Sequence, residues 1–441
     1  MESSVQCDVA VVGSGLAGMT AAAFLARDGR RVVVLERSAE PGGRATTSVD
    51  DGFAFNLGPH ALYRTGPAAQ AFEELGIPIE GGVPKAAGLA LHGGRAYRLP
   101  ADARSLLTTR LFGWRDKLAL ARVLARLPRL DADAVADQSL ATWLDTIQRP
   151  RVRELMEAVA RLATYSYAPE ALSAGVALQQ MQMALEGVIY LDGGWQRLVD
   201  GLVDVAWTQG AEIRCGQRVE SLERSRFAWR LGMRDGTTLE AQSVVIAASP
   251  RVAVTLLPEP ASGEVAAWAE AAPPVRAAVL DLGLSELPDP HTTFALGIDV
   301  PYYLSVHSAV ARLAPPLGAA VSVAKYLAPD DPAGSEAELE AVMDQVQPGW
   351  RDHVVRRRFL PQLTVVNGIV APTLKGLDAR PGVVVAGARG LFLAGDWVGP
   401  SGWLADASVA SARTAVDAIV SRPAALEADE RFELTRAAAG A

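Results

Sequence analysis

Cysteine is scarce in this sequence. Only Cys7 and Cys215 are present, far apart and outside any Cys-x-x-Cys, which argues against a dithiol–disulfide reductase and fits a reducing compartment. The five histidines (His60, His92, His291, His307, His353) show no ligand spacing, so no metal site is expected. Positive charge is also short: 42 Lys and Arg against 50 Asp and Glu leave a formal net charge of −8, which speaks against a nucleic-acid partner. No uninterrupted apolar run is long enough to span a bilayer. The first apolar run starts at Val9, too early to follow a signal peptide, and the expected location is cytoplasmic. No internal repeat or low-complexity segment is apparent. What the chain does have is apolar residues, 50% of its 441, too many for a single core, so two interleaved domains are expected.

The stretch CDVAVVGSGLAGMTAAAFLARDGRRVVVLE is clearly punctuated. Val9 to Val12 reads as a buried strand. Gly13-Ser14-Gly15-Leu16-Ala17-Gly18 is a G-x-G-x-x-G turn, MTAAAFLARDG a helix that Gly29 ends, and Val32 to Leu35 a second strand closed by Glu36 and Arg37. This is a βαβ unit of Rossmann type. Gly13 permits the tight turn, Gly15 lets backbone approach a pyrophosphate, and Gly18 lets helix and strand pack closely. Free amides at the helix start then face the phosphate charge. Glu36 follows Gly18 by 36 − 18 = 18 residues. Its carboxylate can accept from both ribose hydroxyls of an adenosine and repels a 2′-phosphate.

Close behind comes Gly42-Gly43-Arg44, for which a plain nucleotide unit has no use. ERSAEPGGR resembles the start of flavoproteins related to phytoene desaturases, flavin amine oxidases and protoporphyrinogen oxidase. The resemblance implies FAD, with Glu36 on the adenosine ribose and Gly42, Gly43 and Arg44 near its pyrophosphate and flavin end. A guanidinium suits a diphosphate because the two pair as a planar fork. FAFNLGPHALY (Phe53 to Tyr63) resembles the segment that follows in these proteins, which would bring Gly58, Pro59, His60 and Ala61 beside the isoalloxazine. The resemblance also places the backbone of Val219 against the adenine. In GLFLAGDWVGPSGWLADASVASARTAV it places Gly395 and Asp396 at the ribityl or pyrophosphate region, and the amides near Gly402, Trp403 and Leu404 at the flavin pyrimidine. Helix-start charge there would stabilise reduced flavin.

These motifs imply an α/β protein with a discontinuous Rossmann-type FAD-binding domain, 1–84, 189–254 and 373–441. Between its parts, 85–188 and 255–372 are expected to form a substrate domain of mixed β-sheet and helical cap. RDKLALARVLARL and RVRELMEAVARLA read as helices, VRAAVLDLGL, PYYLSVHS and AAVSVAKYL as strands, and Glu212 to Leu222 as a single strand. A helix is expected from Gly193-Gly194 to about Trp207.

In such a protein the flavin is the reactive group, so the chain need only position a C–H bond and exclude water. His60 and Trp403 are the candidate catalytic side chains. Trp403 could be half of the aromatic pair with which amine oxidases flank the flavin, but TVVNGIVAPTLKG, where the other half usually lies, has no aromatic. Lys325 reads as a solvated lysine at a strand end. The expected activity is hydride transfer between a largely apolar, isoprenoid-like substrate and noncovalent FAD. An amine or protoporphyrinogen-type oxidase is the alternative, and a flavin-free lipid carrier of the Rab escort type is a third. From Arg104 to Arg129 seven cations face the single acid Asp116, and Arg115, Arg122 and Arg126 share one helical stripe. Reversible docking on the inner membrane face is therefore a second expectation beside an ordinary cap helix. Oligomeric state is left open.

Overall fold

Segments from the beginning, middle and end of the chain meet in one parallel sheet. The computed structural model describes residues 6–85, 87–225, 228–372 and 376–421. Its principal elements begin with β1 (Cys7–Val12), α1 (Leu16–Arg27), β2 (Val32–Leu35), α2 (Pro67–Glu74), β3 (Leu89–His92) and β4 (Arg95–Arg98). Helices α3 (Ala103–Thr108), α4 (Trp114–Arg126), α5 (Pro150–Thr164), α6 (Ala174–Leu185) and α7 (Gln196–Thr208) follow. Next come β5 (Glu212–Arg214), β6 (Val219–Arg224), β7 (Trp229–Met233), β8 (Thr238–Ile246), α8 (Pro250–Leu256) and α9 (Ala261–Ala271). The rest are β9 (Val275–Leu284), β10 (Phe294–Gly297), β11 (Tyr302–Val306), β12 (Ala319–Leu327), α10 (Glu336–Val346), β13 (Val354–Val366), β14 (Leu391–Leu393) and α11 (Leu404–Val420).

The first sheet runs β5-β2-β1-β8 in parallel, and β8 divides its far edge. Its second half pairs in parallel with β14, its first half antiparallel with β7, which carries β6. Helix α1 lies against this sheet between α7 and α11. It is buried from Ala17 to Ala26, so it needs small side chains all round rather than one apolar stripe. That is why MTAAAFLA shows no amphipathic period.

The second sheet has the order β13-β9-β12-β11-β10-β3-β4. Helix α10 covers one face, and its residues Leu339, Val342 and Met343 share a core with Leu280, Leu282 and Val323. The other face looks toward the helical cap, so β9, paired on both edges by β13 and β12, is buried on both faces and reads as a nearly continuous apolar run. Within that run Asp281 is buried against Arg358 (2.6 Å) and Ser322 Oγ (2.6 Å).

Three expectations need correction. Residues 85–188, expected as the mainly helical part of the substrate domain, also carry two strands: β3 and β4 extend the second sheet, joined by Gly93-Gly94 with φ of 57° and 69°. A two-glycine link between short runs is a hairpin signal, because a type I′ turn requires positive φ at both central positions. The single strand expected over Glu212 to Leu222 is two, β5 and β6. Gly216 (φ 73°) turns the chain so that Gln217 N donates to Glu36 O at 2.7 Å. The change of sheet falls at β9 rather than at residue 255, since Ala261, Val265 and Trp268 of α9 pack in the first core. Of the segment expected over 373–441, residues 373–375 and 422–441 lie outside the described residues. Among the described residues no helix is long and apolar enough to cross a membrane.

Candidate functional site

The site is built where β1 gives way to α1. Gly13 has φ 101°, and a side-chain carbon there would lie 2.5 Å from Ala247 O. At Gly18 the same carbon would fall 1.9 Å from Gly13 O, so helix and turn can touch only without it. Gly15 caps α1 and bridges to Gly42, whose N donates to Ser14 O at 2.9 Å. Two glycine turns distant in sequence thus lie backbone to backbone, with the α1 amides beside them.

Glu36 is buried at the end of β2. Ser14 N (2.8 Å) and Ser14 Oγ (2.7 Å) donate to one carboxylate oxygen, and Ser38 N (2.8 Å) to the other. Burial pushes its pKa up, but these donors outweigh it and hold the carboxyl below its ordinary value. An ionised acceptor is therefore fixed at the tip of β2. Val219 starts β6 just past Gln217, next to that tip, and Arg37 is exposed beside it.

Arg44 joins this turn to the far end of the chain. Its Nη1 donates to Asp396 Oδ2 (2.9 Å) and to Val365 O (2.7 Å). Asp396 is 2% exposed and also accepts from Asn367 N (3.0 Å) and Asn367 Nδ2 (2.7 Å). Burial alone would raise its pKa; Arg44 and Asn367 overcome this and hold it ionised. The Arg44 side chain stays 39% exposed, so part of its fork is open to an anion. Gly395, before the acid, has φ 154° and exchanges hydrogen bonds with Ser411 of α11.

Gly58 has φ 81°, and a side chain there would run into Leu363 Cδ2 at 2.8 Å. The Gly58–Ala61 turn is thereby pressed against β13, with Pro59 and Ala61 half-buried. His60 Nδ1 lies 3.0 Å from Gly58 O, and its ring sits 5.0 Å from that of Trp195. A carbonyl only accepts, so the ring donates to Gly58 O from Nδ1, and the backbone of Arg44 offers it a second acceptor. Burial, with Arg44 nearby, lowers the His60 pKa and keeps the ring neutral.

Beside this turn the cap-facing side of the second sheet forms an apolar wall. Ala277, Val279, Tyr303, Ala324 and Tyr326 are its buried base. Leu162, Tyr165, Tyr167, Phe294, Leu363 and Val365 are only partly covered above them. Tyr165, at the C-terminus of α5, has φ 58°, a left-handed conformation that costs a non-glycine residue energy and gathers at functional sites. Lys325 points to the opposite face and pairs with Glu338 at 2.9 Å.

Trp403 is not placed as expected of a substrate-flanking ring. It is fully buried in the core of the cap, and its Nε1 donates to Thr164 O at 2.9 Å. A buried indole N–H needs an acceptor, and the end of α5 supplies one. The ring docks α11 onto α5 and leaves no face open. Gly402 (φ 74°) and Leu404 (φ 55°) shape the tight entry into α11. Thr373–Lys375, part of the stretch read as lacking the second ring, lie outside the described residues.

The family model for flavin-containing amine oxidoreductases matches residues 16–420. The chain belongs to that family. It is 28% identical over 291 residues to a phytoene dehydrogenase of Streptomyces griseus, covering 56% of this chain and 55% of that one. It is 28% identical over 273 residues to a phytoene desaturase of Cercospora nicotianae, covering 53% and 44%. The chain thus spans about half the length of these curated relatives. Among solved structures, an oxidoreductase from Methanosarcina mazei superposes with a TM-score of 0.74 at 19% identity, over 93% of this chain and all of that one. Cyclohexylamine oxidase from Brevibacterium oxydans gives 0.70 at 17% identity, over 94% and 98%. The family is one of flavin-containing amine oxidoreductases, which implies a flavin cofactor. Glu36, the turns at Gly13–Gly18 and Gly42–Arg44, and the α1 N-terminus fit a dinucleotide, and a flavin held there supplies the hydride-accepting chemistry. Asn367, Tyr165, Tyr167 and Leu363 were not foreseen. Only the repeated tyrosines of TYSYAPE gave any local sign of them.

A second carboxylate behaves differently from Asp396. Asp406, on the first turn of α11, is 2% exposed; its Oδ1 accepts from Ala68 N at 2.9 Å and its Oδ2 has no partner among the described residues. Burial pushes its pKa from the ordinary 3.8 to about 6. Stability from this group is full below 3.8 and is lost as pH rises through 6. Asp406→Asn should remove that loss. The stability of the variant minus that of wild type should rise by on the order of 2–3 kcal/mol between pH 4 and pH 7. Denaturant unfolding at both pH values measures it, and the difference cancels His60 and His307. A pH-independent difference would show that Asp406 does not titrate in this range.

Proposed function

We propose that the protein desaturates a largely apolar, isoprenoid-like substrate by hydride transfer to noncovalent FAD. The observation that carries the reading is the partly open wall of Leu162, Tyr165, Tyr167, Phe294, Leu363 and Val365, which reaches the Gly58 turn and offers rings and aliphatic groups. The substrate names of the phytoene-acting relatives agree with it. Desaturation removes a hydride and a proton from neighbouring carbons. His60, held neutral beside the Gly58 turn, is the group assigned to take the proton. The positions of the cysteines support noncovalent attachment: Cys7 is buried in β1, and Cys215 stands near Glu36 at the adenosine end, which leaves His60 as the one candidate for a covalent link. Anaerobic mixing of the yellow protein with a carotenoid, a porphyrinogen and an amine tests the substrate class. The carotenoid should bleach the flavin band, and acid precipitation should leave the colour in the supernatant. Bleaching by the amine alone would overturn the desaturase reading, and a yellow pellet the noncovalent one.

We also propose that α3 and α4 dock on an anionic membrane surface, where an apolar substrate dissolves. Leu107, Trp114 and Leu118 are 74%, 70% and 45% exposed. Arg104, Arg110, Arg115, Arg122, Arg126 and Arg129 are exposed in the same segment. Its acid, Asp116, is engaged by Arg149 at 2.6 Å, and Leu120 and Leu127 face the cap core. Each cation near the lipid contributes about 1 kcal/mol. Changing Arg115, Arg122 and Arg126 to Glu should weaken cosedimentation with phosphatidylserine vesicles about a hundredfold or more. Wild-type protein that stays in the supernatant at low salt would overturn the docking.

A further inference from the structure

Arg380 follows the turn Gly376–Ala379 and is only 5% exposed. Its Nη1 donates to Gly402 O at 3.0 Å, at the entry to α11, and its guanidinium carbon lies 5.4 Å from the Trp403 ring. Among the described residues, Nε and Nη2 are buried with no hydrogen-bond partner. The carboxylate whose field reaches it is Asp396, which Arg44 and Asn367 already engage. Asp406, the acid on the first turn of α11, turns its carboxyl toward Gly66 and Ala68 instead. Burial lowers the Arg380 pKa to about 10, which still leaves it charged at neutral pH. Two guanidinium groups therefore share the ionised carboxylate of Asp396, while Asp406, which carries its charge above about pH 6, faces away toward Gly66 and Ala68; the helix start adds roughly half a positive charge. A buried cation so poorly compensated is costly, unless a negative charge arrives to balance it.

We propose that Arg380 sets the redox balance of the bound flavin, its uncompensated charge beneath the first turn of α11 favouring the negatively charged reduced cofactor over the neutral oxidised one. A flavin that takes up a hydride gains two electrons and one proton, and so one negative charge. Arg380 acts through its field, because its unpaired N–H groups are closed off from solvent. It is a positioning and electrostatic residue and touches no reacting atom.

The inference rests on the flavin reading, and the two fail separately. Wild-type protein that binds no FAD would defeat the flavin reading itself. The test is the midpoint potential of FAD-loaded Arg380→Gln and Arg380→Lys, measured by equilibration with a reference dye, together with their affinity for oxidised FAD. Gln keeps a donor for Gly402 O and removes the charge. It should lower the ratio of reduced to oxidised flavin at least tenfold at a fixed potential, a drop of about 30 mV for a two-electron couple. Affinity for oxidised FAD should stay within threefold. Lys keeps the charge and should hold the ratio within threefold of wild type. A Gln variant with unchanged potential would overturn the proposal, as would equal loss of affinity for both redox states. If Gln does not yield folded protein, a Lys variant whose ratio of reduced to oxidised flavin falls tenfold or more at the fixed potential overturns it too, since the charge is still present.

Discussion

The organisation of this protein depends on one buried carboxylate. Asp396 is held by Arg44 from the first fifty residues and by Asn367 from the end of β13. Three distant segments and both sheets are tied at that point. An ionised group so deep in the molecule is tolerable only with such partners, and removing one would strand the charge. The nucleotide turn, the strand that reaches the apolar wall and the entry into α11 therefore hold their relative positions together.

Much of this was legible beforehand because the constraint was local. Gly13, Gly18 and Gly58 each answer a contact or a backbone angle that admits no side chain. Glu36 could be read from its place at the end of an apolar run, and its donors come from the adjoining turn. Trp403 shows the limit of such reading. Its motif fixed a position in the chain, but the ring's direction depended on the carbonyl of Thr164, which only the folded cap provides. Asn367 and Arg380 lie outside any motif, and their meaning comes from the groups the fold brings to them. The Gly93-Gly94 hairpin is a different miss, because its signal was present in the sequence.

The same region handles charge in two opposite ways. Asp396 is surrounded by donors and stays ionised, while Asp406, ten positions on, has one amide partner and is pushed toward its neutral form. Helix α11 thus begins between a fixed negative charge and one that appears only as pH rises through about 6. Small residues make this crowding feasible: Ser408, Ser411 and Ala412 let α11 lie close to the sheet, and Ser411 completes the hydrogen bonding of Gly395.

The parallel sheet also constrains how the protein is made. Strand β8, which joins β1 on one side, needs β14 on the other, and α1 needs α11. A ribosome will have released β1 and α1 long before their partners exist. Until then α1, apolar on every side, has no complete site to occupy. Contacts so distant in sequence form slowly, and the exposed apolar surface invites aggregation in the meantime. Cutting the chain before β14 would leave the first core open along one edge and one helix face, so the nucleotide domain cannot be obtained as an N-terminal fragment.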